Sequence, residues 1–252
     1  ALNSGIPGLY TYNGYYQFFL NEGPKLVDQQ AEESWILGST VQISSNPVER
    51  QQIADSVCRL YLNDFLRQWQ DLLGDVQIKA FDKPDAALEI LQVLSAPTSP
   101  LRNLVETVSR ETALNQPPTK PDAGKTPADK SLTDKIAGII GNAKTPAANS
   151  AIQPCTLDPR LLDFNSLYTR EIKGADGAIP PLDKTLSILN DLYGHMNAIA
   201  RAREANPDGS VPQNLKDQFG TVVNQLQVDA TRKPPPFNTL LNKLALDSSD
   251  IV

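Results

Sequence analysis

Between Asn46-Pro47 and Gly74, large apolar side chains recur at Ile53, Val57, Leu60, Tyr61, Phe65, Trp69, Leu72 and Leu73. Steps of three and four gather such residues on one side of an α-helix, which turns once in about 3.6 residues, whereas a half-buried strand would alternate. Arg50, Arg59, Asn63, Arg67 and Gln70 fall largely on the other side, and Gly74 is a good C′ residue. The segment therefore reads as one long amphipathic helix. The same period returns at 86–94, 101–113, 158–168, 181–202, 215–228 and 237–246. It also runs from Tyr12 to Leu37, where Gly23-Pro24 interrupts it and implies two short helices with a bend. Strand-like alternation occurs at 75–81 alone. The expected fold is all-α: a multi-helix bundle with a long Pro-rich insertion and at most one short extended segment.

Proline placement divides the chain. Ser99-Pro100 and Asp158-Pro159 read as an N-cap followed by the first helical residue, and Thr11 reads as a further N-cap. Asn206-Pro-Asp-Gly209 is a turn, and Pro234-Pro-Pro236 is a break. Seven of the 20 prolines crowd into 115–159, among many Lys, Ala, Thr and Asp residues. Such a composition has little apolar area with which to order itself, beyond one short weak helix at 131–140. The resulting division is an N-terminal helical subdomain at 1–114, a Pro-rich linker or insertion at 115–157, and a C-terminal helical subdomain at 158–252.

Charge and composition exclude several functions. Twenty-three basic against 29 acidic residues give a net charge of -6, which disfavours nucleic acid as a partner. No apolar run approaches the roughly 18 residues of a membrane span, so direct membrane insertion of these residues is not expected. One His and two Cys cannot furnish a four-ligand zinc site without carboxylates, and a nucleophilic triad would have to include His195. No metal, cofactor or catalytic residue is predicted, and the chain does not read as an enzyme. It begins at Ala1, contains only Met196 and shows no signal peptide, which reads as a piece of a longer or processed polypeptide.

Each motif that suggests chemistry has a plainer reading. Gly138-Ile-Ile-Gly-Asn-Ala-Lys144-Thr145 has phosphate-loop spacing but Ala143 in place of a glycine, and Gly124-Lys125-Thr126 has Thr119 at the first glycine position. A working loop lies between a strand and a helix, whereas Pro146 and Pro127 follow these at once. His195 sits on a helix with Asp191 one turn before it and reads as a surface or partly buried histidine. The carboxylate pairs Glu32-Glu33, Asp82/Asp85 and Asp247/Asp250 read as solvated helix faces rather than acid–base pairs. Cys58 and Cys155 either bridge in an oxidising compartment or remain free thiols in the cytosol. Tyr10, Tyr12, Tyr15, Tyr16, Phe18 and Phe19 are six of only fourteen Tyr and Phe. They form either an interaction surface or the core of an N-terminal helical hairpin, because six aromatics in ten residues cannot all share one helix face.

Ile6-Pro-Gly-Leu-Tyr-Thr-Tyr-Asn-Gly-Tyr15, Phe19 and Glu33-Ser-Trp35-Ile-Leu-Gly38 together resemble the opening of the C-terminal region of the IcmF/TssM family. Arg59-Leu-Tyr-Leu-Asn-Asp-Phe65, Trp69-Gln-Asp-Leu-Leu73, Leu94-Ser95, Ser99-Pro-Leu-Arg-Asn-Leu104 and Val108-Ser-Arg-Glu-Thr112 continue the resemblance. Pro181-Leu-Asp183 to Leu189-Asn-Asp-Leu-Tyr193 is similar to the family's next helical block. The resemblance covers 6–112 well and 158–246 loosely. It implies an inner-membrane component of the type VI secretion system, with this chain as a helical scaffold in its periplasmic part. It further implies that a cytoplasmic NTPase-like domain and a β-rich domain for the lipoprotein TssJ lie outside these residues. Implied partners are other copies of the chain and the membrane-complex subunits TssL and TssJ. Two other readings make different predictions. A cell-wall glycan hydrolase needs two carboxylates facing across a groove, and a cytosolic helical adaptor needs no membrane spans upstream.

Overall fold

Proline opens five of the seven α-helices among the described residues: α1 (Pro47–Gly74), α2 (Pro84–Ser95), α3 (Pro100–Glu111), α4 (Pro159–Lys173) and α5 (Pro181–Ala205). Helices α6 (Gln213–Ala230) and α7 (Phe237–Ser249) start directly after Pro212 and Pro236. The first helical N–H has no intrahelical acceptor, so a ring without that N–H costs nothing there. The computed structural model describes residues 5–23, 25, 47–81, 83–118, 155–174 and 178–252. The expected helix containing Trp35, the weak helix at 131–140, both phosphate-loop lookalikes, Glu32-Glu33 and Asp82 lie outside them.

The fold is all-α, a multi-helix bundle, with no strand among the described residues. Two expected caps form: Ser99 Oγ accepts from Leu101 N–H at 3.2 Å, and Asp158 Oδ1 accepts from Arg160 N–H at 2.8 Å. Gly174 ends α4 with φ +63°, where a Cβ would meet Ala178 O at 3.1 Å and Pro180 Cα at 3.2 Å. Residues 206–209 turn as expected, with Gly209 N–H donating to Asn206 O at 2.9 Å. Gly74 instead closes α1 as its last residue, without a left-handed φ. The 76–81 stretch is an irregular connector that buries Phe81.

One expected face is rotated. The buried side of α1 is Cys58, Tyr61, Leu62, Phe65, Leu66, Trp69 and Leu73, whereas Val57 and Leu60 are exposed, Leu60 to 64%. Tyr61, Phe65 and Trp69 meet residues 9–19, and this contact sets the rotation of the helix.

Helix α5 is central. Its Leu189, Leu192, Met196 and Ile199 are fully buried, each worth roughly 1.5–3 kcal/mol of transfer free energy. It packs against α2, α4 and α6, while α6 packs against α7 and α3 against α4. The short 206–212 connection makes α5 and α6 antiparallel. One apolar cluster contains core residues from both sides of the 119–154 stretch.

Candidate interaction site

Residues 5–23 form an arm lying along α1. Gly8–Tyr10 is one tight helical turn, and Gly14–Phe19 is wound as a π-helix. Thr11 Oγ1 accepts from Gly14 N–H at 3.1 Å and donates to Gly8 O at 2.8 Å, so it caps the turn as expected. Gly14 is required by close approach: a Cβ there would run into the carbonyl of Gly8 and stand 2.5 Å from Leu9 O. Polar groups at the ends of aromatic side chains fasten the arm. Tyr61 Oη donates to Leu9 O at 2.7 Å and Trp69 Nε1 to Tyr10 O at 3.0 Å. Tyr12 Oη donates to Gln116 O at 2.5 Å and Tyr16 Oη to Leu114 O at 2.6 Å, tying the arm to the end of the α3 region. Phe19 stacks on Tyr61 with centroids 3.8 Å apart, and Tyr10 and Tyr15 flank the same ring.

The structure thus brings the six aromatics of the arm to different places. Tyr15 is buried, and Tyr10, Tyr12, Tyr16 and Phe19 are half-covered against the core. Phe18 faces outward, 65% exposed. Burial, and next the neighbouring Tyr16, pushes the Tyr15 hydroxyl up to about 12. Burial, and then the Tyr15 and Tyr10 hydroxyls, raises Tyr61 further. Both phenols stay protonated at neutral pH, and Tyr61 donates its hydrogen bond to the carbonyl of Leu9.

Cys58 on α1 and Cys155, just before α4, are joined as a disulfide, with Cα atoms 5.7 Å apart across 97 residues of sequence. His195 is half-buried on α5, with Asp191 exposed a turn away. Asp85 is exposed, Asp247 pairs with Lys243 at 2.7 Å and Asp250 is exposed, so none of these acids faces another across a cleft. Among the described residues no group of three or more His, Cys, Asp or Glu is placed to hold a metal. No helix among them is long and apolar enough to cross a membrane.

Sequence reasoning missed a buried ion cluster. Lys233 Nζ lies 2.9 Å from Glu171 Oε2 and 3.6 Å from Asp229 Oδ2, and donates to Pro181 O at 3.0 Å. Thr185 Oγ1 donates to Asp229 Oδ2 at 2.6 Å. The three charged side chains are 5–11% exposed and draw on α4, α6 and the loop before α7. Nearby, Tyr168 Oη donates to Pro235 O at 2.6 Å, and burial pushes that phenol up to about 12. Two signals pointed here: Glu171 continues the buried face of Leu161, Asn165 and Tyr168, and Lys233 follows Asp229 by four residues. Their convergence depends on tertiary packing.

This arrangement of fastened aromatics, a cross-link and a satisfied ion cluster holds elements together. A model of the IcmF-related family, described as intracellular multiplication and human macrophage-killing, matches residues 1–113. The chain is 30% identical over 247 residues to the type VI secretion system component TssM1 of Pseudomonas aeruginosa, an alignment covering 96% of this chain. The chain spans 22% of the length of that curated relative. No solved structure matches it. The family match falls on the arm and on α1 to α3, and the similarity to TssM1 continues through the helices that complete the bundle: the chain belongs to the IcmF/TssM family.

Proposed function

We propose that this chain is a structural segment of a type VI secretion membrane complex, situated in the periplasm and acting through helix packing and protein–protein contacts rather than catalysis. The observation that carries this reading is the 30% identity to TssM1 along 96% of the chain. The Cys58–Cys155 disulfide supports an oxidising compartment, because cytosolic thiols are kept reduced. The fastened arm and buried ion cluster support a mechanical role, since both cost free energy to disrupt and neither presents a reactive group to a substrate. Within this reading, residues 1–114 and 158–252 are two helical subdomains flanking the 115–157 insertion. The partners are other copies, TssL and TssJ, with TssJ engaged mainly through a β-rich domain outside these residues.

The test uses the full protein that carries this chain. Ser210, exposed in the turn after α5, is replaced by Cys. A membrane-impermeant maleimide is applied to cells whose outer membrane alone has been permeabilised. The expected result is labelling before inner-membrane lysis, together with loss of the assembled membrane complex when residues 1–252 are deleted. Labelling only after lysis would overturn the compartment and favour a cytosolic adaptor. Intact assembly and secretion without the segment would overturn the scaffold role.

A further inference from the structure

A furrow of about 660 Å³ opens between α5 and α6. Ile188 and Val228 give it apolar walls, Asn224 supplies an amide, and Lys184 and Arg232 stand beside them. Both cations are exposed, and neither forms an ion pair among the described residues. The single acid in the lining, Asp229, is already engaged by Thr185 and Lys233. The furrow is therefore cationic and apolar on a chain whose net charge is -6.

The same chain carries a complementary surface. On α2, Asp85, Glu89, Gln92 and Val93 are exposed, with Val93 at 55%. At about 100° per residue they fall within one arc of the helix, opposite Ala87, Leu91 and Leu94, which are buried. Helix α2 contains no Lys or Arg, and neither Asp85 nor Glu89 is ion-paired among the described residues. Because α2 packs on α5 through its buried face, its acidic face points away and cannot turn to the furrow of its own molecule.

We propose that the furrow between α5 and α6 receives the acidic outer face of α2 from a second copy of this chain. Asp85 and Glu89 meet Lys184 and Arg232, and Val93 enters between the apolar walls, a helix-in-groove mode of recognition. The two surfaces differ, so the contact is heterologous and propagates from copy to copy until a ring closes or a filament grows. The proposal names the surfaces behind the copy-to-copy contact in the functional reading above. It is tested in vitro, so it can fail while the secretion role stands.

Sedimentation velocity of the whole 252-residue chain between about 10 µM and 1 mM, at about 0.05 and 0.3 M salt, reads the contact directly. The expected result is self-association that weakens at the higher salt. Reversal at the furrow (Lys184→Glu with Arg232→Glu) or on α2 (Asp85→Lys with Glu89→Lys) weakens it by about tenfold or more. An equimolar mixture of the two reversed chains regains it, because each furrow again meets a helix of opposite charge. All four positions are exposed, and circular dichroism of each variant confirms folding. A chain that stays monomeric throughout, an association indifferent to either reversal, or a mixture that regains nothing would each overturn the proposal. Association broken by the furrow reversal but not by the α2 reversal would also overturn it, and would point to a different acidic occupant.

Discussion

Lys233 shows how much one side chain can decide. Its ammonium is buried against Glu171 and Asp229, and the hydroxyl of Thr185 and the carbonyl of Pro181 complete the cluster. Removing the cation alone leaves two carboxylates in a site from which water is largely excluded. Lys233→Met is expected to lower unfolding stability by about 3–5 kcal/mol in urea titrations, the range for breaking a buried pair by removing one partner. Replacing all three charges with apolar residues of similar volume removes the desolvation cost as well. The triple variant Lys233→Met, Glu171→Leu, Asp229→Leu is therefore expected to recover most of that loss. A single variant with wild-type stability would show that the cluster is wetter than its exposure indicates. The buried tyrosines give a pH dependence of definite sign. Tyr15 and Tyr168 are raised to about 12 by burial, and Tyr61 is raised as well. The folded state then holds protons that an unfolded tyrosine releases near pH 10, so the unfolded state binds fewer protons above that point. This contribution is complete below about pH 10 and is lost as pH rises towards 12. Phenolate absorbance followed together with far-ultraviolet circular dichroism should show these three phenols ionising late and cooperatively with unfolding.

At the scale of elements, the arm depends on Gly14. A methyl group at this position collides with the backbone of Gly8 and Leu9. Gly14→Ala is therefore expected to lift the arm and disconnect the hydrogen bonds of Tyr61 and Trp69 to Leu9 and Tyr10. The readouts are a red-shifted, quencher-accessible Trp69 fluorescence and faster proteolysis within residues 5–23, with the bundle helices retained. Trp35 is replaced by Phe in both proteins so that Trp69 reports alone. Unchanged fluorescence would mean that the arm tolerates the methyl group. The disulfide acts on elements too, anchoring α1 to the start of α4. Substituting both Cys58 and Cys155 by Ser is expected to cost about 2–5 kcal/mol, mostly through a less constrained unfolded chain. A cost near zero in matched denaturant curves would leave the cross-link without a stabilising role. Most elements were legible beforehand for a simple reason. Helix starts are local events, marked here by proline at the first turn and by Ser99 and Asp158 as caps. The orientation of α1 was not legible in the same way. Its sequence offers apolar residues around more than one face, including Val57 and Leu60, and the arm selects which of them is covered. Likewise, the fastening of the arm runs through carbonyls such as those of Leu114 and Gln116, about which sequence says nothing. The Lys233 cluster joins residues 62 positions apart, beyond the reach of any periodicity argument.

For the whole molecule, the decisive contacts cross the 119–154 stretch. Helix α2 packs on α5 and α3 on α4, although the partners in each pair lie on opposite sides of that stretch. Polar groups fix the register of the second contact: Asn165 Nδ2 donates to Ser109 O at 2.7 Å and to Thr112 Oγ1 at 2.9 Å, while Ser109 and Thr169 hydroxyls meet at 2.8 Å. Arg102 of α3 also pairs with Asp183 in the first turn of α5. Asn165 Nδ2 finds its acceptors only when both halves are present, and separation would expose Ala87, Leu91, Val105, Leu161 and Leu189, all at most 1% exposed. The fold is therefore expected to persist without covalent continuity through 119–154. A protease site built into that stretch, cut after folding and with the disulfide reduced, is expected to yield two fragments that elute together. Their dissociation constant should lie below about 1 µM, or about 8 kcal/mol of binding free energy. They should part only in denaturant, losing helical signal as they do. Fragments that separate on dilution while keeping their helicity would show instead that each half is a complete unit. The α2–α5 and α3–α4 contacts would then be a docking surface rather than a shared core.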